Sequence, residues 1–130
     1  MRIFLAESDP ELRVGLQFLI NQQPGFQVIG IADNGNEFSS KLKASQPDVL
    51  LLDWYLPGKP MNDLIADIRS LDLQLKIVCI SIHPEDESEA WAAGVDHFFS
   101  KEAPPDNLIV LLNTMKTQKT NGEPVLSKGE

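Results

Sequence analysis

The stretch Pro47-Asp48-Val49-Leu50-Leu51-Leu52-Asp53 sets an unbroken apolar run between two carboxylates. The run is too short for a helix and suits a strand buried on both faces of a parallel sheet. Open parallel sheets put their chemistry beyond the carboxyl ends of their strands. Asp53 stands at such an end. Three other runs finish in a similar way: Arg2 to Ala6 leads into Glu7, Ser8 and Asp9, Lys76 to Ile80 into Ser81, and Asp96 to Ser100 into Lys101. If these strands lie side by side, acidic, hydroxyl and ammonium groups converge on one rim.

Outward from this stretch, strand and helix signals alternate with short connections, the pattern of a layered sheet with helices on both faces. The first helix opens at Asp9-Pro10-Glu11, where Asp9 can cap free amides and Pro10 suits the first helical position. Leu12, Leu16, Leu19 and Ile20 continue it as an apolar stripe, and it stops before Pro24-Gly25. Phe26 to Ile31 reads as the second strand, and Asp33-Asn34-Gly35 turns the chain into a helix from about Asn36 to Ala44. Pro57-Gly58-Lys59-Pro60 is a loop before a third helix from about Asn62 to Ser70. Lys76 to Ser81 forms the fourth strand. Glu85 to Ala93 forms the fourth helix, its first turn crowded with acids that suit the helix dipole, and Gly94 ends it. After the fifth strand, Pro104-Pro105 starts a last helix with Leu108, Leu111, Leu112 and Met115 on one face. From Thr117 the composition turns polar. This divides the chain into a domain over residues 1–117 and a polar tail or linker start over 118–130.

With 130 residues, 42% of them hydrophobic, the chain has the size of one ordinary domain with a proper core. The formal charge of −8 argues against direct binding to nucleic acid, which relies on clustered Lys and Arg. A lone Cys79 inside an apolar strand has no disulfide partner and no metal-ligand spacing, and reads as a core residue of a reducing compartment, the cytoplasm. No apolar run approaches membrane-spanning length, and the opening Met1 to Ala6 is too short for a signal peptide.

Glu7, Pro10, Asp33-Asn34-Gly35, Pro47-Asp48 through Asp53, Leu56-Pro57-Gly58, Ser81, Ala93-Gly94-Val95-Asp96 and Lys101 together resemble the receiver domain of a bacterial two-component response regulator. More narrowly, the chain is similar to receivers that precede a DNA-binding helix-turn-helix. The resemblance covers roughly residues 1–117. It implies a flavodoxin-like α/β fold, a doubly wound five-stranded parallel sheet of order 2-1-3-4-5. It also implies a phosphoryl switch in which Asp53 accepts a phosphoryl group from a sensor histidine kinase and Lys101 supplies a fixed ammonium. Mg²⁺ would supply further positive charge, held by Glu7 and Asp53. Ser81 would hydrogen-bond a phosphoryl oxygen, coupled to an aromatic switch ring, Phe98. Tyr55 and His83, two residues beyond Asp53 and Ser81, would modulate the lifetime of the phosphorylated state. Plainer readings stand beside these roles: Asp53 as a turn cap, Lys101 as a solvated charge, Ser81 as a cap of the next turn, and Phe98 as ordinary core alternating with Phe99.

The pattern is broken in three places. Ser8 falls on an acid position that in such receivers commonly binds Mg²⁺, and a hydroxyl is a poorer ligand for a hard cation than a carboxylate, so reduced affinity is expected. Asp9 could turn inward instead, although the following Pro10 and Glu11 favour capping. After Leu56-Pro57-Gly58, Lys59-Pro60-Met61 replaces a small polar residue and glycine, and Lys59 could pair with Asp53 or Glu7 or remain solvated. Ile82 stands where a smaller residue keeps the phosphoryl pocket open.

The resemblance also implies homodimer pairing through the last helix, or the fourth helix and fifth strand, with Trp91, Ile109 and Val110 as candidate contacts. The output domain that binds DNA would lie outside this chain, cut from a longer regulator. The competing reading is a degenerate receiver that keeps the fold as an interaction module without turnover. An aspartyl phosphatase is disfavoured because Tyr55 stands where a second Asp would act as acid. A flavin site is disfavoured because Ser8-Asp9-Pro10 lacks a phosphate-cradling loop.

Overall fold

The computed structural model describes residues 1–121, with side chains through Gln118. Five parallel strands, β1 (Arg2–Ala6), β2 (Gln27–Ala32), β3 (Val49–Asp53), β4 (Lys76–Ser81) and β5 (His97–Ser100), form one sheet of order β2-β1-β3-β4-β5. Between and after them run α1 (Pro10–Asn21), α2 (Phe38–Ser45), α3 (Met61–Ser70), α4 (Glu87–Ala93) and α5 (Pro105–Asn121). The chain therefore has the expected α/β architecture with helices on both faces.

Side-chain alternation along each strand splits the core into two layers. Phe4, Leu50, Leu52, Ile77 and Cys79 face Phe38 and Leu42 of α2, Leu64, Ile65 and Ile68 of α3, and Ala90 of α4. Ile3, Leu5, Val49, Leu51, Val78 and Ile80 face Leu16 and Ile20 of α1 and Leu108, Leu112 and Met115 of α5. Every residue of β3 is buried, which is why its sequence is a continuous apolar run rather than an alternation. Cys79 belongs to this core, and burial, its largest influence, pushes its thiol up to about 12, so it stays a neutral packing group.

Register sets the rim. Ala6 pairs with Leu52, Asp53 with Ile80, and Ser81 with Ser100, so the residues that follow β1, β4 and β5 emerge beside the end of β3. The first helix starts as expected: Asp9 is extended and its Oδ1 accepts the Glu11 amide at 3.0 Å.

Several boundaries differ from the sequence expectation, each for a local reason. α2 begins at Phe38 because Asn34 Oδ1 accepts the Asn36 amide at 2.7 Å, and this side-chain turn competes with helical pairing. The segment expected as one helix from Glu85 is a 3-10 turn, Pro84–Asp86, followed by α4. Pro84 fixes the entry into that tight turn after an extended His83. Gly94 closes α4 with φ of 105°, a left-handed conformation that favours glycine. α5 continues through Asn121 rather than fraying at Thr117, since polar composition alone does not stop a helix and neither Gly nor Pro intervenes before Gly122. Lys116 holds it near its end, donating to the Pro24 carbonyl and lying 5.2 Å from the Phe26 ring centroid. The remainder of the expected tail, 122–130, lies outside the described residues.

Candidate functional site

Three of the chemical groups at the strand ends meet. Lys101 Nζ lies 3.0 Å from Glu7 Oε2 and 3.4 Å from Asp53 Oδ1, with Glu7 fully buried and the lysine side chain only 14% exposed. Backbone bonds fix the framework: the Glu7 amide donates to Ala32 O at 3.0 Å, prolonging the β1–β2 ladder, and the Lys101 amide donates to Ser81 O at 2.7 Å. Arg13 of α1 donates to the Glu7 carbonyl at 2.8 Å.

Asp53 is saturated with donors. Its Oδ2 accepts the Ser8 hydroxyl at 2.7 Å and the Ser8 amide at 3.2 Å, and its Oδ1 accepts the Tyr55 amide at 3.0 Å. Burial alone would raise its pKa, but the Ser8 hydroxyl, the Tyr55 amide and the Lys101 ammonium outweigh burial and hold the carboxyl below its ordinary value. Glu7 goes the other way. Burial is the main cause that raises its pKa, with the nearby Asp53 charge adding to it, against the lowering effect of the Asp9 amide and Lys101. Its Oε2 takes both the ammonium and the Asp9 amide, while the buried Oε1 has no hydrogen-bond partner.

Ser81 sits on the same rim with its hydroxyl turned elsewhere. It donates to Asp86 Oδ2 at 2.8 Å and accepts the His83 amide at 3.0 Å. The Tyr55 hydroxyl donates to the same Asp86 oxygen at 2.8 Å, and this bond is the chief reason that its pKa is raised. The His83 ring is exposed, packs edge-on to Tyr55 at 5.7 Å, and lies 3.7 Å from Glu85. Phe98 faces the α2–α4 layer and Phe99 the opposite one.

The remaining expectations sort by geometry. Asp9 is spent on capping α1. Lys59 pairs with Asp67 of α3 rather than with Asp53 or Glu7. Ile82 is half exposed, at 51%, so its bulk is largely in solvent. Of the candidate pairing residues, Trp91 and Val110 are exposed, whereas Ile109 is buried on the core-facing side of α5 and cannot serve as a surface contact. Asp86 escaped the sequence reading. It looked like one of several acids at a helix start, and its only signal is its position at the end of a Pro-led turn five residues beyond Ser81.

Among the described residues no group of three or more His, Cys, Asp or Glu could hold a metal ion. Mg²⁺ nevertheless needs only one or two carboxylates beside water and phosphate oxygens. Glu7 and Asp53 meet that minimum, and the unpartnered buried Oε1 of Glu7 is a vacant oxygen donor of the right hardness. The site therefore fits Mg²⁺ with a sparse donor set.

Comparison with known proteins agrees with this geometry. The profile of the response regulator receiver domain matches residues 3–113. The chain is 33% identical over 128 residues to the nitrate/nitrite response regulator protein NarL of Escherichia coli (strain K12), covering 97% of this chain and 57% of that protein. It thus spans a little over half the length of that relative. Among solved structures, the signal receiver domain of a NarL response regulator from Mycobacterium tuberculosis superposes with a TM-score of 0.78 at 28% identity, covering 88% of this chain and 95% of that one. A DNA-binding response regulator of the LuxR family from Staphylococcus aureus gives a TM-score of 0.78 at 25% identity, covering 87% and 96%. With the fold, the strand-end groups and the matched span in agreement, the chain belongs to the response regulator receiver domain family.

Proposed function

We propose that Asp53 is the phosphoacceptor of this receiver. A carboxylate oxygen of Asp53 attacks phosphorus, an O–P bond forms, the P–N bond to the histidine of a sensor kinase breaks, and the imidazole leaves with the electron pair. The observation that carries the reading is a buried carboxylate kept ionised, with an ammonium 3.4 Å from one of its oxygens. An ionised oxygen is the nucleophile the step needs, and Lys101 is a fixed charge for the phosphoryl oxygens. Receiver domains bind Mg²⁺ at their phosphorylation site, where the ion neutralises phosphoryl charge. In this chain Glu7 and Asp53 would hold it, with lower affinity because Ser8 supplies a hydroxyl where a carboxylate would bind more strongly. Ser81, once freed from Asp86, would donate to a phosphoryl oxygen, with Phe98 following its movement and Tyr55 and His83 screening the acyl phosphate from water.

The reading as a binding module without turnover is disfavoured, because Ser8 is used to stabilise the ionised Asp53 rather than merely lost from the site. We further propose that a longer regulator carries this receiver, paired as a dimer, beside a DNA-binding output domain. The greater length of the NarL relative and the DNA-binding response regulator from Staphylococcus aureus support the longer chain and its output domain.

Incubation with acetyl phosphate and Mg²⁺, followed by intact-mass measurement, tests the phosphoacceptor. One added phosphoryl group is expected on the chain and none on Asp53→Asn or after chelation of the metal. Equal modification of Asp53→Asn would refute the assignment.

A further inference from the structure

Ser81 is fully buried, and both of its hydrogen-bonding roles are taken: its proton goes to Asp86 and its oxygen accepts the His83 amide. Asp53 is likewise satisfied by Ser8, Tyr55 and Lys101 without any bond to Ser81. The Ser81 hydroxyl proton that a phosphoryl group on Asp53 would recruit is therefore committed to another carboxylate.

That carboxylate is itself held. Asp86 is only 8% exposed, lies at the end of the Pro84–Asp86 turn, and receives the Tyr55 hydroxyl on the same oxygen that receives Ser81. Tyr55 follows Asp53 by two residues and donates its amide to Asp53 Oδ1. One carboxylate oxygen thus joins the loop after β3 to the end of β4 and the turn that follows it.

We infer that Asp86 is a positioning residue that keeps the Ser81 hydroxyl turned away from Asp53, so that the phosphorylated state forms only by breaking the Ser81–Asp86 bond. The inference rests on the assignment of Asp53 above. Its energetic logic is an exchange of acceptors. A hydroxyl bonded to a carboxylate has little to gain from a phosphoryl oxygen, whereas a buried hydroxyl without an acceptor gains a full charge-assisted bond. Asp86 therefore opposes activation, and its removal should favour the state in which Ser81 engages the phosphoryl group.

The test is the affinity for beryllofluoride, a phosphoryl mimic, in magnesium buffer, read by fluorescence of Trp54 beside Asp53. Asp86→Ala should tighten binding by about tenfold, the equivalent of one charge-assisted hydrogen bond no longer broken. Asp86→Asn keeps an acceptor oxygen and should shift affinity the same way by less, and it decides the matter if the alanine variant does not fold. In a Ser81→Ala background neither substitution should change the affinity, since no hydroxyl remains to be held. Unchanged or weaker binding by both variants overturns the inference, as does equal tightening with and without the Ser81 hydroxyl. Binding by the wild-type chain that is lost in Asp53→Ala keeps the phosphoacceptor assignment standing in those cases. A wild-type chain that binds no beryllofluoride overturns both.

Discussion

Replacing Ser8 with Ala removes one atom from the site and should move the ionisation of Asp53. The Ser8 hydroxyl makes the shortest bond to Asp53, 2.7 Å, while the Ser8 amide at 3.2 Å and the Tyr55 amide at 3.0 Å belong to the backbone and survive the change. A hydrogen bond to a charged group contributes about 1.5–3 kcal/mol. Its loss should therefore raise the Asp53 pKa. The lower end of that energy range is expected, because Ser8 is only partly buried and water can replace the hydroxyl. The sign for stability follows from linkage. The folded-state pKa of Asp53 lies below its unfolded value, so the group stabilises the fold above about pH 4 and loses that contribution as pH falls through the folded value. Ser8→Ala should therefore be less stable than wild type by about 1–2 kcal/mol at neutral pH, with the gap closing in acid. Carbon-13 NMR titration of the carboxyl groups reads the pKa directly, and urea unfolding at neutral and acid pH reads the stability. An Asp53 midpoint that does not move in Ser8→Ala would refute the role assigned to the hydroxyl.

Three other outcomes are expected. Ser8→Asp adds a carboxylate to the Glu7–Asp53 pair and should tighten Mg²⁺ binding by at least about tenfold in a titration followed by Trp54 fluorescence. Asp96, whose Oδ2 accepts from Arg69 Nη2 and the Ile77 amide at 2.8 Å each, is held below its ordinary pKa by those bonds against the opposing effect of burial. Asp96→Asn should cost about 1–3 kcal/mol at neutral pH by chemical denaturation and nothing in acid below the folded pKa, where wild type has lost the same charge. Leu51→Ala, in the middle of the fully buried β3, should cost about 2–5 kcal/mol, measured by the same unfolding experiment.

The sequence carried the fold because its strongest signals were local. Apolar runs of strand length, Asp9-Pro10 at the start of α1 and Gly94 at the end of α4 each require only a few neighbouring residues to act. β4 falls on the residues expected for it. The meeting of Glu7, Asp53 and Lys101 was legible for a different reason. In a parallel sheet, strand ends line up, so residues far apart in the chain share a rim once their strands are recognised. What escaped depends on side-chain direction. Asp86 sits among Glu85, Glu87 and Glu89, and only the tight turn after Pro84 selects it to point inward. Lys59 was expected against Asp53 or Glu7 or in solvent, and the structure pairs it instead with Asp67 of α3. Ser8 read as a loss of metal affinity, whereas its hydroxyl also stabilises the ionised Asp53, a gain visible only once the 2.7 Å bond is seen. The placement of Ile109 turned on which face of α5 meets α1 and the sheet, and there the helix buries it.

Locating the acyl phosphate on the chain tests the account most directly. The chain phosphorylated by acetyl phosphate would be reduced with borohydride, which converts an aspartyl phosphate to homoserine, and its peptides sequenced by mass spectrometry. Homoserine at position 53 is the predicted result; homoserine at Asp9, at Asp86 or at any other carboxylate, with Asp53 intact, would contradict it.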